Sequence, residues 1–275
     1  MNSGGGMSEE SIQDDFILEC RDLSKTFDPG VPDSRPALDR MTLKMLQGEF
    51  VVVIGSNGAG KSTLLNVIAG MVVADAGSIV LDGRNITKLA PYKRAGAITR
   101  VFQDPMMGTA AAMTIEENLA LSERRGMRHG FAPHLTKERR DRYRGLLSTL
   151  NLGLETRLST RVAQLSGGQR QALSLVMAVA SHPRLLLLDE HTAALDPGTA
   201  DLVMEATLAA VRTYALTTIM VTHNMQQAIE TGNRLIMMDA GRVMLDLSGL
   251  AKSTLTPRDL VDKFKLANDR MLLAS

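Results

Sequence analysis

The chain reads as an α/β fold. A largely parallel sheet is covered by helices, with an antiparallel β subdomain before it and an α-helical subdomain inserted into it. Three observations lead to this reading. Short apolar runs, "FVVVIG" and "LLLL", have the length of buried strands, and the first, without alternation, reads as buried on both faces. Helical patterns such as "ADLVMEATLAAVRTYA" separate the later runs, which is the βαβ order of a parallel sheet. From 105 to 182 the strand signals stop and helical ones take over.

The elements follow in chain order. "MNSGGGMSEESIQDD" (1–15) is glycine-rich and acidic and lacks the basic and apolar regions of a signal peptide, so a flexible tail is expected. Residues 16–47 alternate in two pieces, "FILECRDLSKTF" and "ALDRMTLKML", around the three-proline loop "DPGVPDSRP"; they predict an antiparallel β layer. "GEFVVVIG" is a buried strand, and "KSTLLNVIAG" a helix stopped by Gly70. "GSIVLDGRNI" is strand-like, with a turn at Asp82-Gly83.

In the helical block, Thr114 with Glu117 three residues later forms a capping-box pattern. "TKERRDRYRGLLSTLNL" and "GGQRQALSLVMAVASH" are two further helices. Strands return as "RLLLLD", "TTIMVTH" and "RLIMMDAGRVML". The expected domain spans 16–250, with its helical subdomain at about 105–182 and a helical extension at 251–275.

Composition narrows the function. A formal net charge of +1 gives no electrostatic argument for nucleic acid or an anionic membrane surface. Tryptophan is absent and aromatics are 3%, which argues against base-stacking platforms. The single cysteine, Cys20, excludes an internal disulfide framework, fits a reducing cytoplasm and reads as a core thiol. No run reaches the ~18 apolar residues a membrane span needs. The expectation is a soluble chain, made in the cytoplasm, that meets a membrane only through a partner.

"GSNGAGKST" (55–63) matches G-x-x-x-x-G-K-[ST], with a strand before it and a helix after it. Its residues are Gly55, Ser56, Asn57, Gly58, Ala59, Gly60, Lys61, Ser62 and Thr63. The glycines let successive backbone N–H groups turn inward around phosphate oxygens, and the helix N-terminus adds its partial positive charge. Lys61 can reach the β- and γ-phosphates, and the Ser62 hydroxyl can coordinate Mg²⁺. In such proteins a buried strand delivers an acid beside the Mg²⁺. "LLLLD" would be that strand, which makes Asp189 the metal ligand and Glu190 the candidate to polarise the attacking water. The alternative is an N-cap acid followed by a first-turn acid.

With "LSGGQ" (165–169) just before "LLLLDE", the chain resembles the ATP-binding-cassette (ABC) ATPases over about 16–249. The resemblance implies a P-loop NTPase (RecA-like) core, ATP and Mg²⁺ as ligands, and hydrolysis of ATP. It implies that Phe27 stacks on adenine, that Gln103 in "RVFQDP" senses Mg²⁺ and the attacking water, and that His223 in "VTHN" contacts the γ-phosphate. Phe27 could instead be a β-layer core residue. Asp196 in "AALDP" matches the loop that crosses between two such domains.

The resemblance also implies head-to-tail pairing, in which Ser166, Gly167, Gly168 and Gln169 of one copy face the ATP held by the other. The same Ser-Gly-Gly serves as a helix N-cap. One departure is His191, where the family usually has proline after the acids. Two readings are open: a histidine titrating near neutral pH beside the base, or a replaced turn-former.

With one cassette, the chain is similar to the separate ATPase subunit of bacterial importers. That implies transmembrane permease subunits, a second copy or a paralogue, an extracytoplasmic substrate-binding protein, and a place at the cytoplasmic face of the membrane. A non-transport cassette (cofactor assembly) and an efflux or lipid-extraction ATPase are the alternatives. Residues 123–145 carry eight Lys or Arg against three Asp or Glu. They read as a solvated helical face or as a contact with a permease loop or lipid headgroups.

Overall fold

A computed structural model describes residues 16–31, 34–126 and 135–263. The expected tail at 1–15, the end of the expected extension (264–275) and the middle of the basic stretch (127–134) lie outside the described residues. In chain order the strands are β1 (Phe16–Thr26), β2 (Pro36–Leu46), β3 (Phe50–Gly55), β4 (Ala76–Leu81), β5 (Arg84–Asn85), β6 (Ile98–Val101), β7 (Leu185–Asp189), β8 (Thr218–Val221), β9 (Arg234–Asp239) and β10 (Arg242–Ser248). The helices are α1 (Lys61–Ala69), α2 (Pro91–Arg94), α3 (Ile115–Ser122), α4 (Lys137–Ser148), α5 (Gly167–Ala180), α6 (Pro197–Thr213), α7 (Met225–Glu230) and α8 (Gly249–Ser253).

Two sheets form. The smaller, in the order β2-β1-β4-β5, is antiparallel throughout and contains the β layer expected from the alternation at 16–47. Asp82 and Gly83 both take positive φ (51° and 70°), which closes the β4–β5 hairpin tightly. The larger sheet has the order β10-β9-β3-β8-β7-β6; all its pairs are parallel except β10 with β9.

The apolar runs divide between two faces as strand geometry requires. Val51, Val53, Leu185, Leu187, Ile219 and Ile236 join α1 and the small sheet in one core cluster. Val52, Ile54, Leu186, Leu188, Met220 and Leu235 join α5 and α6 in a second. The leucine run of β7 is therefore buried on both sides. A third cluster holds the helical region together, centred on Ile115, Leu119, Tyr143 and Leu147. Helix α5 belongs to both of the last two: Leu175 and Val179 face the sheet, and Leu173 and Met177 face α3 and α4.

Three elements had no counterpart in the sequence reading. They are β6, only four residues long and containing Thr99 and Arg100, and the short helices α2 and α7. Their signal is too brief for a periodicity; β6 is defined by its pairing with β7.

Candidate functional site

The carboxyl ends of the parallel strands emerge along one edge of the large sheet. Val53 and Asp189 both pair with Val221, and Val101 pairs with Leu188. The loop at 55–63, the paired acids, His223 and Gln103 consequently leave the sheet on the same side, the edge where open α/β sheets bind ligands.

The loop itself is tightly seated. A Cβ on Gly55 would lie 2.3 Å from the Met238 carbonyl oxygen, and one on Gly60 would lie 2.3 Å from that of Ala37. Gly60 also has φ 97°, so no other residue fits there without strain. The Gly241 amide donates to the Ala59 carbonyl (3.1 Å), and the Ser56 hydroxyl donates to Asp239 Oδ1 (3.0 Å). The β9–β10 turn thus supports the loop from below, a contact that nothing in the motif announces.

Helix α1 begins with no side-chain cap and no acid in its first turn. The amides of Asn57, Gly58 and Gly60 make no hydrogen bond to described residues. Uncapped amides at the positive end of a helix suit phosphate oxygens. At the other end Gly70 closes α1 with φ 80°, as expected. There the buried Arg94, missed by the sequence reading, donates to the carbonyls of Val67 (2.9 Å) and Ile68 (2.8 Å).

Lys61 is buried, and its ammonium donates to the carbonyls of Gly55 (2.8 Å) and Ser56 (2.9 Å). Burial lowers its pKa, while the neighbouring Glu190 and Asp189 carboxylates act in the opposite direction. The Lys61 amine and the two acids are therefore electrostatic neighbours. Ser62 is exposed on the first turn of α1, and Thr63 follows it half-buried. Asp189, at the end of β7, accepts from the Arg100 guanidinium at 2.5 Å; both side chains are largely buried.

Glu190 is not an N-cap. It takes φ 45°, a left-handed conformation that costs a non-glycine residue strain, while its amide donates to the Val221 carbonyl (3.0 Å). This turns its carboxylate towards His223, whose Nδ1 lies 3.3 Å from Glu190 Oε2. The helix-cap alternative for the paired acids thus fails: the helix that follows, α6, is capped by Asp196, whose carboxylate accepts from the Thr199 amide at 3.0 Å.

His191 resolves differently from one of its two readings. It is buried, with Nε2 3.1 Å from the Thr207 hydroxyl, and burial pushes its pKa down to about 4. It is neutral at pH 7 and does not titrate near neutrality. Cys20 is buried as expected, with its thiol pushed up to about 12, which leaves it unreactive.

The remaining residues stand further out. Phe27 is 48% exposed, so it is not a core residue of the β layer; the Lys25 ammonium sits 5.7 Å from its ring centre. Gln103 is exposed, two residues beyond the end of β6, and the preceding Phe102 carbonyl is held by the Gln171 side chain (2.9 Å). Ser166 caps α5 in a capping box with Gln169: the hydroxyl accepts from the Gln169 amide, and the Ser166 amide donates to Gln169 Oε1, both at 3.2 Å. A Cβ on Gly168 would lie 2.0 Å from the Thr199 methyl, so α5 and α6 approach closely there, whereas Gly167 faces open space. Among the described residues no hydrogen bond or ion pair joins 166–169 to 55–63.

Among the described residues no group of three or more His, Cys, Asp or Glu gathers in a metal cage. The oxygens at this edge, from Ser62, Gln103 and Asp189, suit a hard cation that takes its other ligands from phosphate and water. No helix of the described residues is long and apolar enough to cross a membrane.

Fold and site together define a phosphate-loop nucleotide hydrolase. The model of the family described as ABC transporter matches residues 38–193. A tyrosine transport ATP-binding protein of Clostridioides difficile is 43% identical over 251 residues, covering 91% of this chain and 100% of that one. A sulfate/thiosulfate import ATP-binding protein of Chromobacterium violaceum is 40% identical over 75% of this chain but only 53% of its own length. A spermidine/putrescine import ATP-binding protein of Haemophilus ducreyi is 32% identical over 93% of this chain and 62% of its own.

Among solved structures, the dimeric ATP-binding cassette MJ0796 in a post-hydrolysis state with ADP and Pi superposes with a TM-score of 0.72 at 28% identity, over 84% of this chain and 98% of that one. The ADP conformation of the cassette MJ1267 gives a TM-score of 0.74 at 25% identity, over 91% of this chain and 98% of that one. The chain belongs to the ABC transporter family, as an ATP-binding and ATP-hydrolysing subunit whose work is coupled to transport.

Proposed function

We propose that the edge formed by β3, β6, β7 and β8 hydrolyses ATP to drive solute import through separate permease subunits. The observation that carries this is the Glu190 carboxylate, held 3.3 Å from His223 Nδ1 and electrostatically beside Lys61, at the open end of the sheet. The amides of 57–63 cradle the phosphates, and the Lys61 ammonium exchanges its two loop carbonyls for phosphate oxygens. Phe27, exposed after β1, stacks on adenine. Ser62, Asp189 and Gln103 would hold Mg²⁺, which would neutralise charge on the phosphates when bound. Glu190 orients and deprotonates the attacking water, and His223 donates to a γ-phosphate oxygen.

The second half-site, Ser166 to Gln169, completes the site of another copy or a paralogue. Its hydroxyl and helix-terminal amides meet the γ-phosphate, so ATP binding closes a head-to-tail dimer. The ATPase unit is 16–250, with its helical subdomain at about 105–182. The assembly sits at the cytoplasmic face of the membrane with its permeases and an extracytoplasmic substrate-binding protein. Since the ATPase does not touch the cargo, the cargo has to be read from the relatives. The Clostridioides difficile relative, matched over its whole length, is named for tyrosine transport, which makes tyrosine the first solute to test.

Uptake of labelled tyrosine and other amino acids, measured in cells carrying the native chain or Lys61→Ala, tests the reading. Loss of accumulation of one solute in the variant is expected. Unchanged uptake together with altered excretion would replace import by efflux.

A further inference from the structure

Lys252, on α8, is a buried cation that forms no ion pair among the described residues; the residue is 4% exposed. Its ammonium donates instead to three carbonyls, those of Ile229 (2.7 Å), Thr231 (2.6 Å) and Gly232 (2.9 Å). All three ammonium protons are thus used. The acceptors lie at the C-terminal end of α7 and in the turn after it, where a helix leaves carbonyls unpaired and where positive charge is favourable.

The opposite end of α7 carries His223. Asn224 caps the helix, its Oδ1 accepting from the Gln227 amide (3.0 Å). The Thr222 hydroxyl donates to Gln227 Oε1 (2.6 Å) and accepts from the Asn224 amide (3.1 Å). Residues 222–224 are therefore fastened to the first turn of α7. The His223 side chain is 65% exposed, so its own packing does not hold it against Glu190. Helix α7 has six residues and fully buries only Ala228, with Met225 and Ile229 packed partly buried against the same core cluster, so its placement also depends on how its ends are tied. The segment that supplies Lys252 is itself anchored: Leu260 is fully buried in the core cluster under α7, and Leu255 packs beside it.

We infer that Lys252 is a positioning residue for the reaction: the C-terminal segment grips α7 through its ammonium and thereby holds the His223 imidazole against Glu190. The inference rests on the reading of His223 as the γ-phosphate contact. Sequence reasoning had no route to it, because a lysine after the last strand carries no motif and its three acceptors are backbone atoms.

The test is ATP hydrolysis by the full chain carrying Lys252→Met, which keeps the stem and removes the donors. Turnover should fall about tenfold, as for a displaced site residue, while KM for ATP changes less than about twofold. Amides of 225–231 should exchange faster with solvent. In a background of His223→Ala, Lys252→Met should cause no further loss, since both remove one interaction. Val211→Ala, a cavity in the same core cluster on α6, should lower the melting temperature and leave kcat unchanged.

Should Lys252→Met fail to fold, Lys252→Gln, whose two donors on a shorter stem cannot serve all three carbonyls, should give a smaller loss of turnover in the same comparison. The inference is overturned if the lysine variant keeps native kcat, if its loss multiplies with that of His223→Ala, or if Val211→Ala lowers kcat equally. Native turnover in His223→Ala alone would instead remove the reading beneath it, and the inference with it.

Discussion

Arg100 and Asp189 are 89 residues apart in sequence, yet they form an ion pair of 2.5 Å between adjacent strands, with side chains 10% and 14% exposed. The same guanidinium donates to Asn66 of α1 at 2.5 Å and lies over the Phe102 ring at 4.8 Å. One arginine thus ties Asp189 to helix α1 and to the approach to Gln103. Arg100→Met leaves a buried carboxylate unpaired and should lower the stability by about 3 kcal/mol, read from urea unfolding. Arg100→Lys should recover only part of this, because a single ammonium replaces two guanidinium nitrogens that serve Asp189 and Asn66 separately. An unchanged midpoint in Arg100→Met would show that the pair contributes nothing.

Lys61→Ala should abolish ATP hydrolysis with little loss of fold. The ammonium contacts loop carbonyls, not the apolar core, so a thermal melt near native is expected alongside inactivity. Turnover at the native rate would remove the phosphate-loop assignment.

Ser166→Arg should block hydrolysis while ATP binding by the isolated chain persists, because in the proposed dimer the hydroxyl serves the other copy's nucleotide. The substitution also deletes the cap of α5, so a stability loss of about 1 kcal/mol accompanies it. Mixed with Lys61→Ala subunits, it should leave at most one competent interface per mixed dimer. Loss of ATP binding in the monomer would contradict a shared site.

Glu190→Gln keeps size and much of the hydrogen bonding but cannot accept a proton. Hydrolysis should slow by ~10²-fold or more, as for loss of a general base. With ATP the variant should elute as a dimer in size-exclusion chromatography, and with ADP as a monomer. A variant that stays monomeric with ATP and turns over normally would show that Glu190 is not the base.

His191 predicts an acid-side loss of stability. Its folded pKa is depressed from 6.5 to about 4, so the unfolded chain binds the proton first as pH falls. The neutral, buried form contributes fully above pH 6.5; its contribution is lost as pH falls from 6.5 to about 4, a change of about 3 kcal/mol. Urea midpoints between pH 7 and pH 5 should fall more steeply in the native chain than in His191→Gln. Parallel curves would show that the imidazole is not held neutral by burial.

The parts of this protein that are local in sequence could be read from it. The loop at 55–63, the capping box at Thr114, the N-cap at Ser166, the Asp82-Gly83 turn and the burial of "FVVVIG" and "LLLL" each depend on residues a few positions apart, and the structure contains all of them as expected. The roles expected of Phe27 and Gln103 came from family resemblance, and their exposed positions are compatible with it.

What needed the assembled chain has partners far away in sequence. β6 is a strand because four residues pair with β7, and Arg100 acquires its role from that pairing. Ser56 meets Asp239 across 183 positions, and Arg94 and Lys252 find helix ends 26 and 21 residues away. The state of His191 follows from its burial against Thr207, not from the acids beside it. In each case a charge or hydrogen bond is decided by which surfaces exclude water, and that is settled only when the sheet order β10-β9-β3-β8-β7-β6 brings distant segments together.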